Sequence, residues 1–181
     1  MKAVYIVDDP SVANVLVDPM RRAILDLLRK MPMTQAKLAA ELGLSGPSLN
    51  YHVKLLRSKK LIMVVKRESE KHGIMQKFFG PTAYFFVYDL DLLPKNIGRY
   101  FYPVSLERAR GIASTMILCS KRNFKLESDT DAINRLAEKI SRSLVHVSKF
   151  YTNTDVDQGS ERIVYKIYAE AIDIAVKMPS D

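Results

Sequence analysis

Two short helix patterns joined through Gly43 constrain this chain more than any other feature. Thr34 is placed to cap the first, which runs from Gln35 to Leu42 with Leu38, Ala39 and Leu42 on its inward face. Gly43 supplies the left-handed residue that ends it. Ser45-Gly46-Pro47 then joins a capping hydroxyl to a proline in the first turn and starts a second helix, reaching to about Ser58. Two short helices closing on each other across a Gly-containing turn form a helix-turn-helix.

The flanking segments extend this unit. Asp9-Pro10 opens a short helix with Val12, Val15 and Leu16, and Asp18-Pro19 repeats the signal. Behind it Met20, Ile24, Leu27, Leu28 and Met31 recur at helical spacing until Met31-Pro32 stops the helix. Residues 61–67 and 74–79 are strand-like runs separated by six polar or glycine residues, Glu68-Ser69-Glu70-Lys71-His72-Gly73, and Pro81 closes the hairpin. Helix, helix, helix, hairpin is the winged helix order. The expected fold class is therefore mainly α, an α+β winged helix-turn-helix followed by a helical region. Its expected parts are a strand/helix arm over 1–17, a winged helix-turn-helix over 18–90, and a helical dimerisation or effector region over 91–181.

Charge follows the same division. Residues 20–80 hold 13 Lys/Arg against four acids, a net of +9, which leaves −1 for the rest of a chain whose total is +8. A basic segment joined to a near-neutral remainder is the footprint of a polyanion binder, although a solvated surface can look the same. The helix after Gly43 decides between them. Leu49, Val53 and Leu56 cluster on its inner side with His52 beside them, while Pro47, Tyr51 and Lys54 fall opposite, flanked by Ser48 and Asn50. Ser48, Asn50 and Tyr51 can reach base edges, and Lys54 suits a phosphate. Thr34 and Gln35, at the start of the preceding helix, join them as candidate contacts. Lys66, Arg67, Lys71 and Lys77 make the hairpin a cationic wing.

The run Leu44-Ser45-Gly46-Pro47-Ser48-Leu49-Asn50-Tyr51-His52-Val53-Lys54-Leu55-Leu56 resembles the recognition helix of ArsR-type winged helix regulators. Asp18-Pro19-x-Arg21-Arg22-x-Ile24-Leu25 resembles that family's opening helix, and the segment 72–79 resembles the second wing strand of its archaeal-type members. The likeness covers about residues 10–88. It implies a dimeric regulator of transcription that binds double-stranded DNA, with Ser45, Gly46, Ser48, Asn50 and Tyr51 facing the duplex. Metal-sensing members carry a Cys-x-Cys pair near this helix, and this chain has none there. Cys119, the lone cysteine, reads as a buried structural thiol. No metal and no cofactor are expected.

Catalysis has no support: there is no phosphate-binding glycine loop, no Gly-x-Ser-x-Gly and no His-Glu-x-x-His. No apolar run approaches a membrane span, and one cysteine suits a reducing, cytoplasmic setting. Residues 78–102 hold nine of the sixteen aromatics. They read as core and dimer interface, or as a small-molecule effector pocket lined by Tyr84, Phe86, Tyr100 and Phe101. Three further helices follow. Ser105 caps one, a second runs from about 130 to 151, and the third, after the polar stretch 152–160, carries Ile163, Ile167, Ala171 and Ile174. The stripe Ile133, Leu136, Ile140, Leu144, Val147 and its counterpart in the last helix are expected to pair with a second copy, giving a homodimer. Two other functions compete. A winged helix can serve only as a protein-interaction module in a transcription or repair assembly, and RNA binding would favour exposed aromatics on a basic surface.

Overall fold

The computed structural model describes residues 1–69, 75–119 and 130–177. Its elements are β1 (Lys2–Val7), α1 (Pro10–Val17), α2 (Pro19–Lys30), α3 (Gln35–Leu42), α4 (Gly46–Ser58), β2 (Ile62–Ser69), β3 (Met75–Pro81), β4 (Ala83–Tyr88), a single turn α5 (Lys95–Gly98), α6 (Tyr102–Cys119), α7 (Thr130–Ser148) continued by a 3-10 turn (Lys149–Tyr151), and α8 (Glu161–Lys177).

The N-terminal helices start where their caps stand. Asp9 Oδ1 accepts from the Ser11 N–H at 2.7 Å and Asp18 Oδ1 from Met20 at 2.8 Å. Those bonds from Ser11 hold the Asp9 carboxyl below the usual carboxylate range. Thr34 Oγ1 accepts from Lys37 N–H at 3.2 Å, and Ser45 Oγ from Ser48 N–H at 3.3 Å. Gly43 closes α3 at φ +63°, a conformation that strains any residue with a Cβ. Ile24, Leu25, Leu28, Leu38, Leu49, Val53 and Leu56 bury the inner faces of α2, α3 and α4 in one cluster.

The hairpin β2–β3 is antiparallel and bulged at Val65. The bulge lays the Val65 side chain on Gly80, where an added Cβ would stand 2.9 Å from Val65 Cγ1. Met33, in the linker between α2 and α3, exchanges both backbone bonds with Phe79 (2.9 and 3.2 Å) and so anchors the hairpin to the helices.

The other two strands form a parallel ribbon whose register runs from Lys2↔Ala83 to Val7↔Tyr88. Its two faces belong to different cores. Val7, with Tyr5, Phe86 and Tyr88 partly buried, packs toward the winged helix cluster. Val4, Phe85 and Val87, with Ile6, pack toward α6, α7 and α8. The free edge of β1 is covered as well: Ala3 N–H donates to Thr154 O at 2.7 Å, and Val156 N–H to Met1 O at 2.9 Å. The arm over 1–17 is thus a strand and helix built into the body, with β1 between β4 and the segment 154–156. Two further bonds cross between the halves, Arg29 Nη1 to Tyr84 O at 3.3 Å and Gln158 Nε2 to Leu28 O at 3.3 Å.

Three expectations need correction. The helix assigned a Ser105 cap begins at Tyr102, with Pro103 in its first turn as the start signal; Ser105 lies buried inside it. The apolar stripes of α7 and α8 do not await a second copy. Ile140, Leu144, Val147, Ile167 and Ala171 are buried against each other, against Ala109 of α6, and against the ribbon of their own chain. Cys119 is exposed, because the buried face of α6 (Ser105, Ala109, Ala113) runs out before the helix ends. No described helix is long and apolar enough to cross a membrane.

Because each core owns one face of the ribbon, the halves should unfold together. Phe85→Ala should cost about 3–5 kcal/mol in urea denaturation, as for other buried Phe truncations. The transition should stay single whichever half is monitored; two separated transitions would show independent units.

Candidate nucleic-acid interface

The expected reading helix, α4, presents its N-terminal half outward. Tyr51 is 58% exposed and Lys54 is exposed, while Ser48 and Asn50 are partly buried. Ser45 and Gly46 are exposed at the helix start. Partial burial of Asn50 has a cause: Gln35 Nε2 reaches from the first turn of α3 to Asn50 Oδ1 at 3.4 Å. This contact joins two sequence-predicted residues and orients the Asn50 amide group from the preceding helix. Thr34 serves as the α3 cap, so its hydroxyl already accepts a bond at the edge of this face.

Tyr51 is also positioned from behind, by Arg21 and His52, which the sequence does not mark as contacts. The Arg21 guanidinium lies 6.0 Å from the Tyr51 ring centroid and His52 packs edge-on at 5.6 Å. Arg21 is itself held: its Nη1 donates to Val15 O at 2.8 Å and its Nη2 stands 3.4 Å from Asp18 Oδ2. Asp18 thus caps α2, pairs with Arg21, and faces His52 Nδ1 at 3.7 Å. The Asp18-Pro19-x-Arg21 motif carried a signal for this support, but the motif alone does not say that Arg21 turns toward the reading helix.

On the wing, Lys66, Arg67 and Lys77 are exposed. The register sets Arg67 directly opposite Lys77. Like charges at a cross-strand pair repel unless an anion lies between them, so the pairing favours a polyanion. Among the described residues neither is in an ion pair. Lys66 differs: it pairs with Glu68 and stands 5.6 Å from the Phe78 ring, so part of its charge is answered within the hairpin. Lys71 lies outside the described residues. Arg57, exposed on the last turn of α4 with its guanidinium 5.9 Å from the Phe79 ring, joins helix to wing and is a cation the sequence list omitted.

The four residues expected to line an effector pocket are not gathered in one place. Tyr84 is buried in the C-terminal cluster with its hydroxyl donating to Glu161 Oε1 at 2.8 Å, and Phe86 packs on Tyr5 at 5.9 Å. Tyr100 and Phe101 do border a common cavity, together with Tyr88. Among the described residues no cluster of His, Cys, Asp or Glu could hold a metal ion.

Asp18→Ala removes a cap and the Arg21 anchor at once. It should lower stability by about 0.5–2 kcal/mol in thermal unfolding and broaden or shift the Tyr51 ring resonances, which Asp9→Ala should leave in place.

Residues 16–65 match the family model for a helix-turn-helix domain. The transcriptional repressor SdpR of Bacillus subtilis (strain 168) is 36% identical over 52 residues, which is 29% of this chain and 58% of SdpR. The chain therefore aligns with little more than half of that relative's length. Two solved structures are similar at low identity. One is the homodimeric winged helix-turn-helix DNA-binding domain of a Mycobacterium bovis protein described as a possible ArsR-family transcriptional regulator (17% identical, 60% of this chain and 79% of that one, TM-score 0.33). The other is Bacillus subtilis PadR in complex with operator DNA (15% identical, 88% and 93%, TM-score 0.34). With the family match set on α2, α3, α4 and the start of the wing, the N-terminal part of this chain is a winged helix-turn-helix domain.

Proposed function

We propose that this chain is a sequence-specific double-stranded DNA-binding regulator of transcription that acts as a homodimer in the cytoplasm. The observation that carries the reading is the outer face of α4. Exposed Tyr51 and Lys54 stand beside an Asn50 fixed by Gln35, at the N-terminal end of a helix flanked by a wing with Arg67 opposite Lys77. α4 enters the major groove, where Ser48, Asn50 and Tyr51 meet base edges. Ser45, Gly46, Thr34, Gln35 and Lys54 border the backbone. Lys66, Arg67, Lys71 and Lys77 rest on phosphates, which position the protein without reading sequence. SdpR, a relative 36% identical to this chain over 52 residues, is a transcriptional repressor. The role is binding rather than catalysis. A module that only bound proteins would have no use for a cationic wing beside a polar helix face.

Homodimer formation follows from reach. One winged helix reads a few base pairs, and two-fold partners gain affinity by holding half-sites a helical turn apart. Since the α7 and α8 stripes are covered within the chain, the partner surface falls to apolar residues left outside, among them Val104, Ile117 and Leu118 on α6, Phe150 in the 3-10 turn, and Tyr165 and Val176 on α8. Leu118 is 85% exposed and the natural centre of such a contact.

Two measurements test the reading. Duplex affinity should fall with salt at a log–log slope near −5 if about six phosphates are contacted, and Tyr51→Ala should cost roughly 1–3 kcal/mol on the specific site but little on random duplex. A flat salt response, or equal losses on both duplexes, would remove the major-groove assignment. In sedimentation the full-length protein should be a dimer at micromolar concentration, and Leu118→Asp should shift it toward a monomer that keeps the parent's far-UV circular dichroism, with its unfolding temperature no longer dependent on protein concentration.

A further inference from the structure

A cavity of about 160 Å³ lies on the seam between the two halves of the chain, and its walls come from both. Arg22 enters from α2 of the winged helix domain, Tyr88 from β4, and Tyr100 and Phe101 from the segment before α6. Arg108 and Ser141 come from α6 and α7. Tyr88 and Phe101 are stacked, with ring centroids 3.8 Å apart and planes 16° from parallel, so one wall is a rigid aromatic surface.

Among the described residues, the charged groups lining this cavity have one sign. Arg22 spends Nη1 on two carbonyls at the end of α1, Leu16 O at 2.7 Å and Val17 O at 2.8 Å. Arg108 lies 5.5 Å from the Tyr168 ring centroid. Among the described residues neither guanidinium is in an ion pair, and the nearby carboxylate of Asp26 is paired with Arg29. Both arginines act on the Tyr88 phenol. Burial nevertheless pushes that phenol up to about 12, so it stays a neutral O–H donor at physiological pH. Two partly buried guanidinium groups with no carboxylate partner among the described residues, set around an aromatic hollow, are the donor set an anion would take, since like charges in a recess are costly until a counter-charge joins them.

We infer that this cavity binds a small apolar anion, a carboxylate carried on a single ring. This hollow, partly open to solvent, has the volume of about one ring, for an enclosed apolar cavity of roughly 150 Å³ takes up benzene. The ring lies along Tyr88 and Phe101, and the carboxylate bridges Arg22 and Arg108, with the Tyr88 and Ser141 hydroxyls as further donors. Ligand binding stands on the cavity alone; only its consequence for DNA affinity rests on the function proposed above.

The test uses full-length protein without DNA, titrated with sodium benzoate by calorimetry and by amide chemical shifts. Benzoate should bind saturably, and benzamide, equal in shape but uncharged, should bind at least tenfold more weakly. Arg108→Gln should weaken benzoate roughly tenfold, the usual scale for losing a charge-assisted hydrogen bond. Ser141→Leu, which fills the hollow without changing its charge, should abolish binding while both variants keep the parent unfolding temperature. No saturable binding, equal binding of benzamide, or benzoate binding untouched by Ser141→Leu would overturn the inference. A chain that takes up benzoate by these criteria yet ignores duplex DNA would support the site and sink the DNA-binding function alone.

Discussion

Everything in this molecule is referred to a ribbon of two parallel strands with no solvent face. β1 and β4 are six residues each; Val4, Ile6, Phe85 and Val87 enter one hydrophobic cluster and Tyr5, Val7, Phe86 and Tyr88 the other, with Tyr84 at the start of β4 joining the first. A strand buried on both faces cannot alternate polar with apolar, so Ala3-Val4-Tyr5-Ile6-Val7 and Ala83-Tyr84-Phe85-Phe86-Val87-Tyr88 read as unbroken apolar runs. Parallel pairing also forces a long crossover. Here the crossover is the whole winged helix domain, which leaves β1 through α1 and returns through the hairpin into β4. The winged helix is thereby held at both ends by the structure it departs from.

The same ribbon separates what the sequence made legible from what it did not. Helix starts depend on interactions within four residues, so Asp9, Asp18, Thr34 and Ser45 announced them correctly, and Gly43 announced a stop. The hairpin was legible for a similar reason, its strands being neighbours in sequence. β4 was not, because its partner lies more than seventy positions earlier and its pattern has no period. From sequence alone the aromatic stretch reads as core and dimer interface, or as a pocket. It is chiefly a seam within one chain, with Phe85 facing one cluster and Phe86 and Tyr88 the other. The stripes on α7 and α8 carried the right residues, and periodicity alone could not say whose surface would cover them.

At the candidate DNA surface, local rules named Asn50 and Tyr51 but not their supports. The wheel of α4 follows from a 100° step, so outward residues could be picked from the sequence. That Gln35 holds Asn50, and that Arg21 lies over Tyr51, depends on how α2 and α3 cross α4 in space. These contacts matter to recognition because a base-reading side chain that is already oriented loses less rotational freedom on binding. A free tyrosine on a bare helix would present the same atoms with less discrimination.

Adjacent arginines on α2 show how the seam and the reading helix are joined. Arg21 and Arg22 both reach back to the C-terminal carbonyls of α1, at Val15, Leu16 and Val17, and clamp the α1–α2 corner around the Asp18 cap. From that shared base they diverge, Arg21 lying near Tyr51 on α4 and Arg22 lining the cavity beside Tyr88. A change in the position of Arg22 that breaks its bonds to Leu16 O and Val17 O would loosen the same corner that holds Arg21. The α1–α2 corner is an element that both arginines touch, one residue apart, and so one that both surroundings can bias. The route runs through main-chain acceptors rather than a chain of loosely packed side chains, so it is short, stiff and made of hydrogen bonds of 2.7–2.8 Å. If a ligand fills the cavity and DNA meets α4, as proposed above, any coupling between them would be set by how differently that ligand contacts Arg22 in the two arrangements, and not by the distance between cavity and helix.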